Sequence, residues 1–382
     1  MGWNSWNTFY DHVDAGLLYS IADAMVDFGF RDAGYNYLIL DDCWSKKQRD
    51  GQGNLVPDPH KFPDGMRAVS DYVHSKGLKF GIYSCCGVKT CAGYPGSFEH
   101  EFEDAALFAE WGVDYLKYDN GYRPSTLSTP LLYRRMSMAL NSSGRDIALA
   151  ACQWGTDEVH KWIRSSGAHT FRSTVDIQDS WDSISTIVKS QMDMQHCSGT
   201  GCFNDMDMLV VGMDGKGVNP ETSICGEGGC TVTEYQTHFA LWAMMNSPLI
   251  IGCDIRSASE AARGILLNQE VIAINQDPLC RSCYKLPVYA NPDGFMLIRP
   301  LADGSYAVGF FNFGEKAHEV TLDFWDMGLP AHSCHTIRIR DCLAHKDLGD
   351  YSEFFSADID AHGCGIYKVN LHAKIGTTIL TL

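Results

Sequence analysis

Val113-Asp114-Tyr115-Leu116-Lys117-Tyr118-Asp119 reads as a short strand that runs out on an acid. Side chains alternate along a strand, so Tyr115, Lys117 and Asp119 share one side. Just upstream, Phe102, Ala105, Ala106 and Ala109 recur at helical spacing and stop at Gly112. The same unit repeats along the chain. Leu18, Ile21, Met25 and Phe28 form a helical stripe between Asp14 and Gly29, and Tyr35 to Leu40 follows as a strand closing on Asp41-Asp42. Met66, Val69 and Val73 lead through Gly77 to the strand Lys79 to Tyr83. Later strand candidates are Ile147 to Cys152, Thr170 to Val175, Cys202 to Leu209 and Leu249 to Cys253. The candidate strand ends Asp42, Tyr83, Asp119, Gln153, Asp176 and Asp207 fall roughly 23 to 41 residues apart, around the ~30 of one strand–helix unit. With Met1 to Asn4 as a first strand and 248–254 as a last, eight repeats fit. This predicts an α/β chain whose residues 1–283 form a (β/α)8 TIM barrel. An open doubly wound sheet is the alternative, and the lack of a phosphate-binding glycine fingerprint after the first strand weakens its dinucleotide-binding form.

From residue 284 to 382 the texture changes to short alternating runs: Val288-Tyr289, Phe295 to Ile298, Tyr306 to Phe311, His318 to Leu322, Thr336 to Ile339 and Gly365 to Val369. Turn signals such as Asn291-Pro292-Asp293-Gly294 separate them, which predicts a C-terminal antiparallel β-sandwich domain. Thirty Lys and Arg against 47 Asp and Glu leave a net charge of −17 over 382 residues. Such a chain repels phosphate backbones and anionic lipid, so nucleic acid and membrane are excluded as expected partners. The longest apolar run, Phe239 to Cys253, is interrupted at Asn246-Ser247-Pro248, short of the ~20 residues of a membrane span. No secretory signal is visible over the first 30 residues, and the 15 Cys are odd in number and scattered. A cytoplasmic protein with reduced thiols is expected, in which the triplet Asn141-Ser142-Ser143 carries no glycan. Cys225/Cys230 and Cys280/Cys283 lie too far apart for a compact zinc ribbon.

Reactive groups of a (β/α)8 barrel sit at the carboxyl ends of its strands. Here those ends are acidic: Asp41 and Asp42 on the second, Asp119 on the fourth, Asp176 on the sixth, Asp205 and Asp207 on the seventh. One such Asp is more often a cap or a turn residue than a catalyst, but several converging on one mouth push their pKa values apart, as acid and nucleophile chemistry requires. Two reaction classes use such a mouth, glycosidases and Mg²⁺-dependent lyases or racemases. Trp3, Trp6, Trp44, Tyr83 and Trp154 at or near the same ends favour a sugar, whose apolar ring face they can cover. Lys117 shares a side with Asp119 and can hold it ionised.

At these residues the chain resembles glycoside hydrolase family 27, the melibiase-like α-galactosidases and α-N-acetylgalactosaminidases. The segments that carry the resemblance include Met1-Gly2-Trp3-Asn4-Ser5-Trp6, Asp41-Asp42-Cys43-Trp44, Lys89-Thr90-Cys91-Ala92-Gly93-Tyr94-Pro95-Gly96-Ser97, Tyr115-Leu116-Lys117-Tyr118-Asp119, Cys152-Gln153-Trp154-Gly155, Asp176-Ile177-Gln178-Asp179-Ser180-Trp181 and Asn204-Asp205-Met206-Asp207-Met208-Leu209. The resemblance implies a retaining exo-α-galactosidase that uses no cofactor and no metal, with Asp119 as nucleophile and Asp176 as acid/base. It also implies sugar contacts: Asp41 and Asp42 to the C4 and C6 hydroxyls, Lys117 to C3, Arg172 and Gln153 around C2, Asp207 as a further polar contact, and Trp6, Tyr83, Cys91 and Met208 as walls. Secreted members of the family often carry, two residues past the nucleophile, a Cys bonded to the one at Cys91. Gly121 stands there in this chain, so Cys91 is expected free.

Gln153 is large where members that take N-acetylgalactosamine have small residues, which favours galactose. Asp41-Asp42 argues against the family's β-L-arabinopyranosidases. The expected partner is a carbohydrate with a terminal α-linked galactose, and a homo-oligomer is left open. The segment Ile224 to Thr231 matches no motif.

Overall fold

The computed structural model describes residues 1–218, 229–288, 291–329 and 335–373. Cys225, Tyr289 and most of the Ile224 to Thr231 segment lie outside them. The chain divides into two compact units, Met1–Cys230 with Ser247–Leu267, and Thr231–Asn246 with the segment from Asn268 onward.

In the first unit, strands β1 (Gly2–Asn4), β2 (Tyr37–Ile39), β3 (Lys79–Cys85), β4 (Tyr115–Asp119), β5 (Ala148–Cys152), β6 (Thr170–Arg172), β7 (Phe203–Asp205) and β8 (Ile250–Ile251) pair in parallel, each with its sequence neighbour up to β7 and β8 beside β1. Leu209, just past β7, bridges Ile251; it donates its N–H to Ile250 O at 2.7 Å and accepts from Gly252 N–H at 2.9 Å. That bridge closes the sheet into the expected (β/α)8 barrel. The register aligns Cys85, Asp119, Cys152, Arg172 and Asp205 at one level across five strands.

Local chemistry sets the helices. Asp14 accepts from Leu17 N–H at 2.7 Å and starts the helix Ala15–Asp27, which buries Leu18, Ile21 and Met25 as their spacing predicts. The helix Glu101–Glu110 departs from expectation. It buries Glu101, Asp104, Ala105 and Phe108 and leaves Phe102 exposed, because Arg49 grips both Asp104 oxygens at 2.7 Å and Arg135 takes Glu101 at 2.8 Å. Two buried ion pairs outweigh the apolar pattern and rotate the inward face.

The second unit contains the helix Val232–Met244, whose Thr231 and Glu234 form a reciprocal capping box. Its strands are β9 (Tyr284–Pro287), β10 (Gly294–Pro300), β11 (Tyr306–Asn312), β12 (His318–Asp323), β13 (His335–Asp341), β14 (Lys346–Tyr351), β15 (Phe354–Ile359) and β16 (Cys364–Ala373). Six form an antiparallel sheet in the order β14-β13-β16-β11-β10-β9, and β12 pairs with β15. Val320, Leu322, Phe355 and Ile359 of the small sheet pack with Met296, Ile298, Val308 and Phe310 of the large one, which makes a β-sandwich. Strand β14 escapes the alternation rule because it is an edge strand carrying Lys346, Asp347 and Asp350, the usual protection of an open edge.

Candidate active site

Asp119 closes β4 and is buried. Tyr83 from β3 donates its hydroxyl to Asp119 Oδ2 at 2.8 Å, and Asn120 N–H donates to Oδ1 at 2.7 Å. Burial pushes this carboxyl above its ordinary range, while Lys117, the Asn120 N–H, the Tyr83 hydroxyl and Arg172 each pull it back. Lys117 itself is tied to Asp41: its Nζ donates to Asp41 Oδ2 at 2.8 Å, an oxygen that also accepts from Asn4 Nδ2 at 2.8 Å. Lys117 therefore acts on Asp119 through space rather than through a bond.

Asp41 and Asp42 follow β2. Asp42 accepts from Cys43 N–H at 2.7 Å and from Ala92 N–H at 3.1 Å, and burial pushes its carboxyl up to about 6. The second contact joins it to the loop that carries Cys91, which is exposed and, like every other cysteine among the described residues, free. A Cβ placed on Gly121 would lie 2.8 Å from Cys91 Sγ, so the glycine sits within disulfide reach of Cys91 but has no sulfur to offer it.

Arg172 ends β6 and is buried between carboxylates. Its Nη2 donates to Asp176 Oδ1 and, at 3.1 Å, to Thr174 O; its Nη1 lies 3.5 Å from Asp207 Oδ2. Asp207, in a left-handed backbone conformation (φ 84°), accepts from Ile177 N–H and Met208 N–H, both at 2.8 Å. Burial raises Asp207 and Arg172 opposes it. Asp205 is driven up to about 6, by burial first and the Asp207 charge second.

Asp176 lies four residues past β6, its side chain 47% exposed. Its enclosure pushes the carboxyl upward, but the charge and hydrogen bond of Arg172, with Lys117 behind, bring it below the ordinary range. Like charges were expected to leave one carboxyl protonated and another ionised, and the resting order is Asp119 up and Asp176 down.

Gln153, immediately after β5, is fully buried. Its Nε2 donates to Thr156 Oγ1 at 2.6 Å, while its Oε1 has no hydrogen-bond partner. Arg172 Nε and Thr174 Oγ1 are likewise buried without partners. A cluster of unpaired buried polar groups beside two carboxylates is what a polyhydroxy ligand or ordered water would satisfy. Trp6 and Met208 pack with Ile39 and Ile250 at the floor. Trp3 and Trp44, by contrast, are core residues: their indole N–H groups are spent on Cys253 O at 2.8 Å and Tyr83 O at 2.9 Å.

The structure thus brings Asp119, Lys117, Asp41 and Asn4 into one network, and Arg172, Asp176 and Asp207 into a second beside it. Asn4 and Thr174 were not singled out from sequence, and Asp205 was noted there as a strand-end acid without a role of its own. Asn4 obeys the strand-end rule that found the acids and could have been found by it.

A closed barrel whose mouth gathers buried carboxylates around unpaired hydrogen-bonding groups defines a carbohydrate-active barrel hydrolase. The chain belongs to the α-galactosidase A family, glycoside hydrolase family 27. The family profile described as Alpha galactosidase A (Melibiase_2) matches residues 1–277, and that of the Alpha galactosidase C-terminal beta sandwich domain (Melibiase_C) matches 296–369. Alpha-galactosidase 3 of Arabidopsis thaliana is 41% identical over 373 residues, covering 96% of this chain and 80% of the relative. The alpha-galactosidase of Coffea arabica is 43% identical over 368 residues, covering 96% and 92%. The solved α-galactosidase of Saccharomyces cerevisiae with raffinose superposes with a TM-score of 0.84 at 31% identity, covering 97% of each chain.

Proposed function

We propose that this chain removes terminal α-linked galactose from oligosaccharides or glycoconjugates with net retention. The observation that carries the reading is the pairing of a buried carboxylate, Asp119, with a half-exposed one, Asp176, across the Arg172 side chain. Asp119 attacks the anomeric carbon, and the glycosidic bond breaks as Asp176 gives its proton to the departing oxygen. Asp176 then takes a proton from water, which displaces Asp119 and releases the sugar.

The scheme needs the reverse of the resting order: Asp119 ionised and Asp176 protonated when the bond breaks. A sugar hydroxyl that accepts from Arg172 draws that guanidinium away from Asp176 and raises its carboxyl. Asp41, Asp42, Lys117 and Asp207 bind the remaining hydroxyls, while Trp6, Tyr83, Cys91 and Met208 wall the ring. Gln153 Oε1, buried and unpaired, accepts from a plain C2 hydroxyl, and the bulk of this side chain disfavours an acetamide there.

The test is a panel of aryl α-galactoside, α-N-acetylgalactosaminide and β-L-arabinopyranoside, with the anomer first released followed by NMR. Turnover of the first alone, with α-galactose appearing before mutarotation, is the expected result. β-Galactose as first product, or preference for another glycoside, refutes the reading.

A further inference from the structure

Gly121 leaves a gap at the mouth that two sulfurs share. A Cβ built on it would lie 2.8 Å from Cys91 Sγ and 3.5 Å from Cys85 Sγ, so thiols from two segments reach one point. Cys85 ends β3 and is fully buried, and its Sγ donates to Gly121 O at 3.0 Å. Cys91 stands exposed in the loop beyond. Ser97 N–H donates to Cys85 O at 2.9 Å and Thr90 N–H to Tyr94 O at 2.8 Å, which folds that loop back over the strand end. The backbones meet closely here: a Cβ on Gly87 would come within 2.1 Å of Gly121 O.

We propose that Cys85 and Cys91 are a disulfide-forming pair, which joins across Gly121 under oxidising conditions and fastens the Cys91 loop to the end of β3. The structure shows the dithiol form. Each thiol gives up its hydrogen as the two sulfurs bond, and the two electrons and two protons pass to a small disulfide such as oxidised glutathione, which leaves as two thiols.

Fastening matters because this loop serves the reaction centre. Its Ala92 N–H holds Asp42 at 3.1 Å, and Cys91 walls the proposed sugar site. Desolvation first, with the Asp119 charge among the further causes, raises both thiols above their ordinary value. Such thiols are poor attackers and poor leaving groups, so the bridge forms slowly and opens slowly. That is the behaviour of a structural cross-link rather than of a rapid switch.

The experiment equilibrates the full chain with oxidised or reduced glutathione, maps cross-linked peptides by mass spectrometry and measures the thermal midpoint of inactivation. Oxidation should join Cys85 to Cys91 with the loss of two hydrogens and raise the midpoint by roughly 5 °C, the scale of one short-loop cross-link. Cys85→Ser and Cys91→Ser lose both the cross-link and the shift, whereas Cys86→Ser, at the neighbouring buried thiol, keeps both. Gly121→Ala fills the gap while leaving every thiol in place, and should form the cross-link at least about tenfold more slowly. A glutathione adduct on Cys91 in place of the cross-link, a bridge to Cys86, or an undiminished rate in Gly121→Ala overturns the pairing. A cross-link that leaves the midpoint unmoved overturns the fastening. Neither result touches the α-galactosidase reading, which the glycoside panel decides.

Discussion

The two ends of the barrel are built from opposite materials. At the amino end the turns into β2 to β7 pass through Gly34, Gly77, Gly112, Gly144, Gly167 and Gly201, all with positive φ, where glycine adopts the left-handed conformation without strain. At the carboxyl end the left-handed positions include Cys43, Tyr122, Trp154 and Asp207, side chains for which the same conformation is costly. The amino end also holds the larger hollow, about 830 Å³ lined by Lys79, Asp114, Arg145 and His169, against about 30 Å³ beside Lys117, Arg172, Asp205 and Asp207. Yet Asp114 is saturated by His74 at 2.7 Å, Phe80 N–H at 2.8 Å and Arg145 at 2.5 Å, whereas the small hollow is lined by Arg172, whose Nε is buried without a partner. Size does not mark chemistry here. Strained side-chain-bearing backbone together with unsatisfied buried polarity does.

The largest effect that separates the ends comes from the two carboxylates. Asp119→Asn should lower turnover of an aryl α-galactoside by about 10⁴-fold or more, the scale of losing a covalent nucleophile. Asp176→Asn should cost about 10²- to 10⁴-fold, as expected of a general acid/base. Both variants should keep the wild-type circular dichroism spectrum and thermal midpoint; near-wild-type rates in either would move the active site away from this mouth.

Arg172 comes next, because its charge lowers Asp119, Asp176 and Asp207 together. Arg172→Met should lose substrate affinity and also shift both limbs of the pH profile of kcat/KM to higher pH. A carboxylate that must be ionised fails as pH falls through its raised value, and one that must be protonated fails later as pH rises. A profile that merely shrinks, with both limbs in place, would reduce Arg172 to a simple binding contact.

Asp42 tests whether the mouth trades stability for chemistry. Its folded pKa of about 6 lies above the ordinary 3.8, so the folded state binds the extra proton and stability falls as pH rises between those values. Asp42→Asn should therefore stabilise the protein at pH 8 by about 1 to 2 kcal/mol, after one hydrogen-bond acceptor is lost, while abolishing most activity. The gain should vanish toward pH 4. In the second unit the sign is reversed: hydrogen bonding to Arg340 holds Glu270 down to about 2, and its contribution is present above the ordinary carboxylate range and lost as pH falls. Urea midpoints measured across pH decide both.

Much of this was legible in the sequence because a barrel writes its active level at strand ends. Asp41, Asp42, Asp119 and Asp207 each stop an apolar run, and the alternation of Lys117 with Asp119 anticipated a shared electrostatic neighbourhood. Asp176 was listed at a strand end because Thr170 to Val175 read as one strand; β6 stops at Arg172 and the acid sits on the loop beyond, its role implied only by its motif. Backbone strain at Tyr122 and the buried ion pairs that turn the helix Glu101–Glu110 depend on partners distant in sequence. So do the roles of the indoles: Trp3 and Trp44 looked like sugar platforms until their N–H groups were found committed to the core.

The smallest predicted effect is the one that most directly tests the contrast between the ends. Lys79 and Asp146 line the amino-end hollow, are exposed, and lie at the entries to β3 and β5 rather than at their exits. Lys79→Ala loses a cation from above the Tyr37 ring, 5.3 Å to its centroid, and a long hydrogen bond to the Tyr37 hydroxyl at 3.5 Å. Exposed contacts of this kind are worth well under about 1 kcal/mol. Lys79→Ala and Asp146→Ala should therefore leave kcat/KM for melibiose and its pH limbs at wild-type values, with a thermal midpoint lowered slightly at most. A change in either limb would mean that charge at the amino end reaches Asp119 through the barrel interior. The division between a mouth that performs chemistry and a base that only turns the chain would then fail.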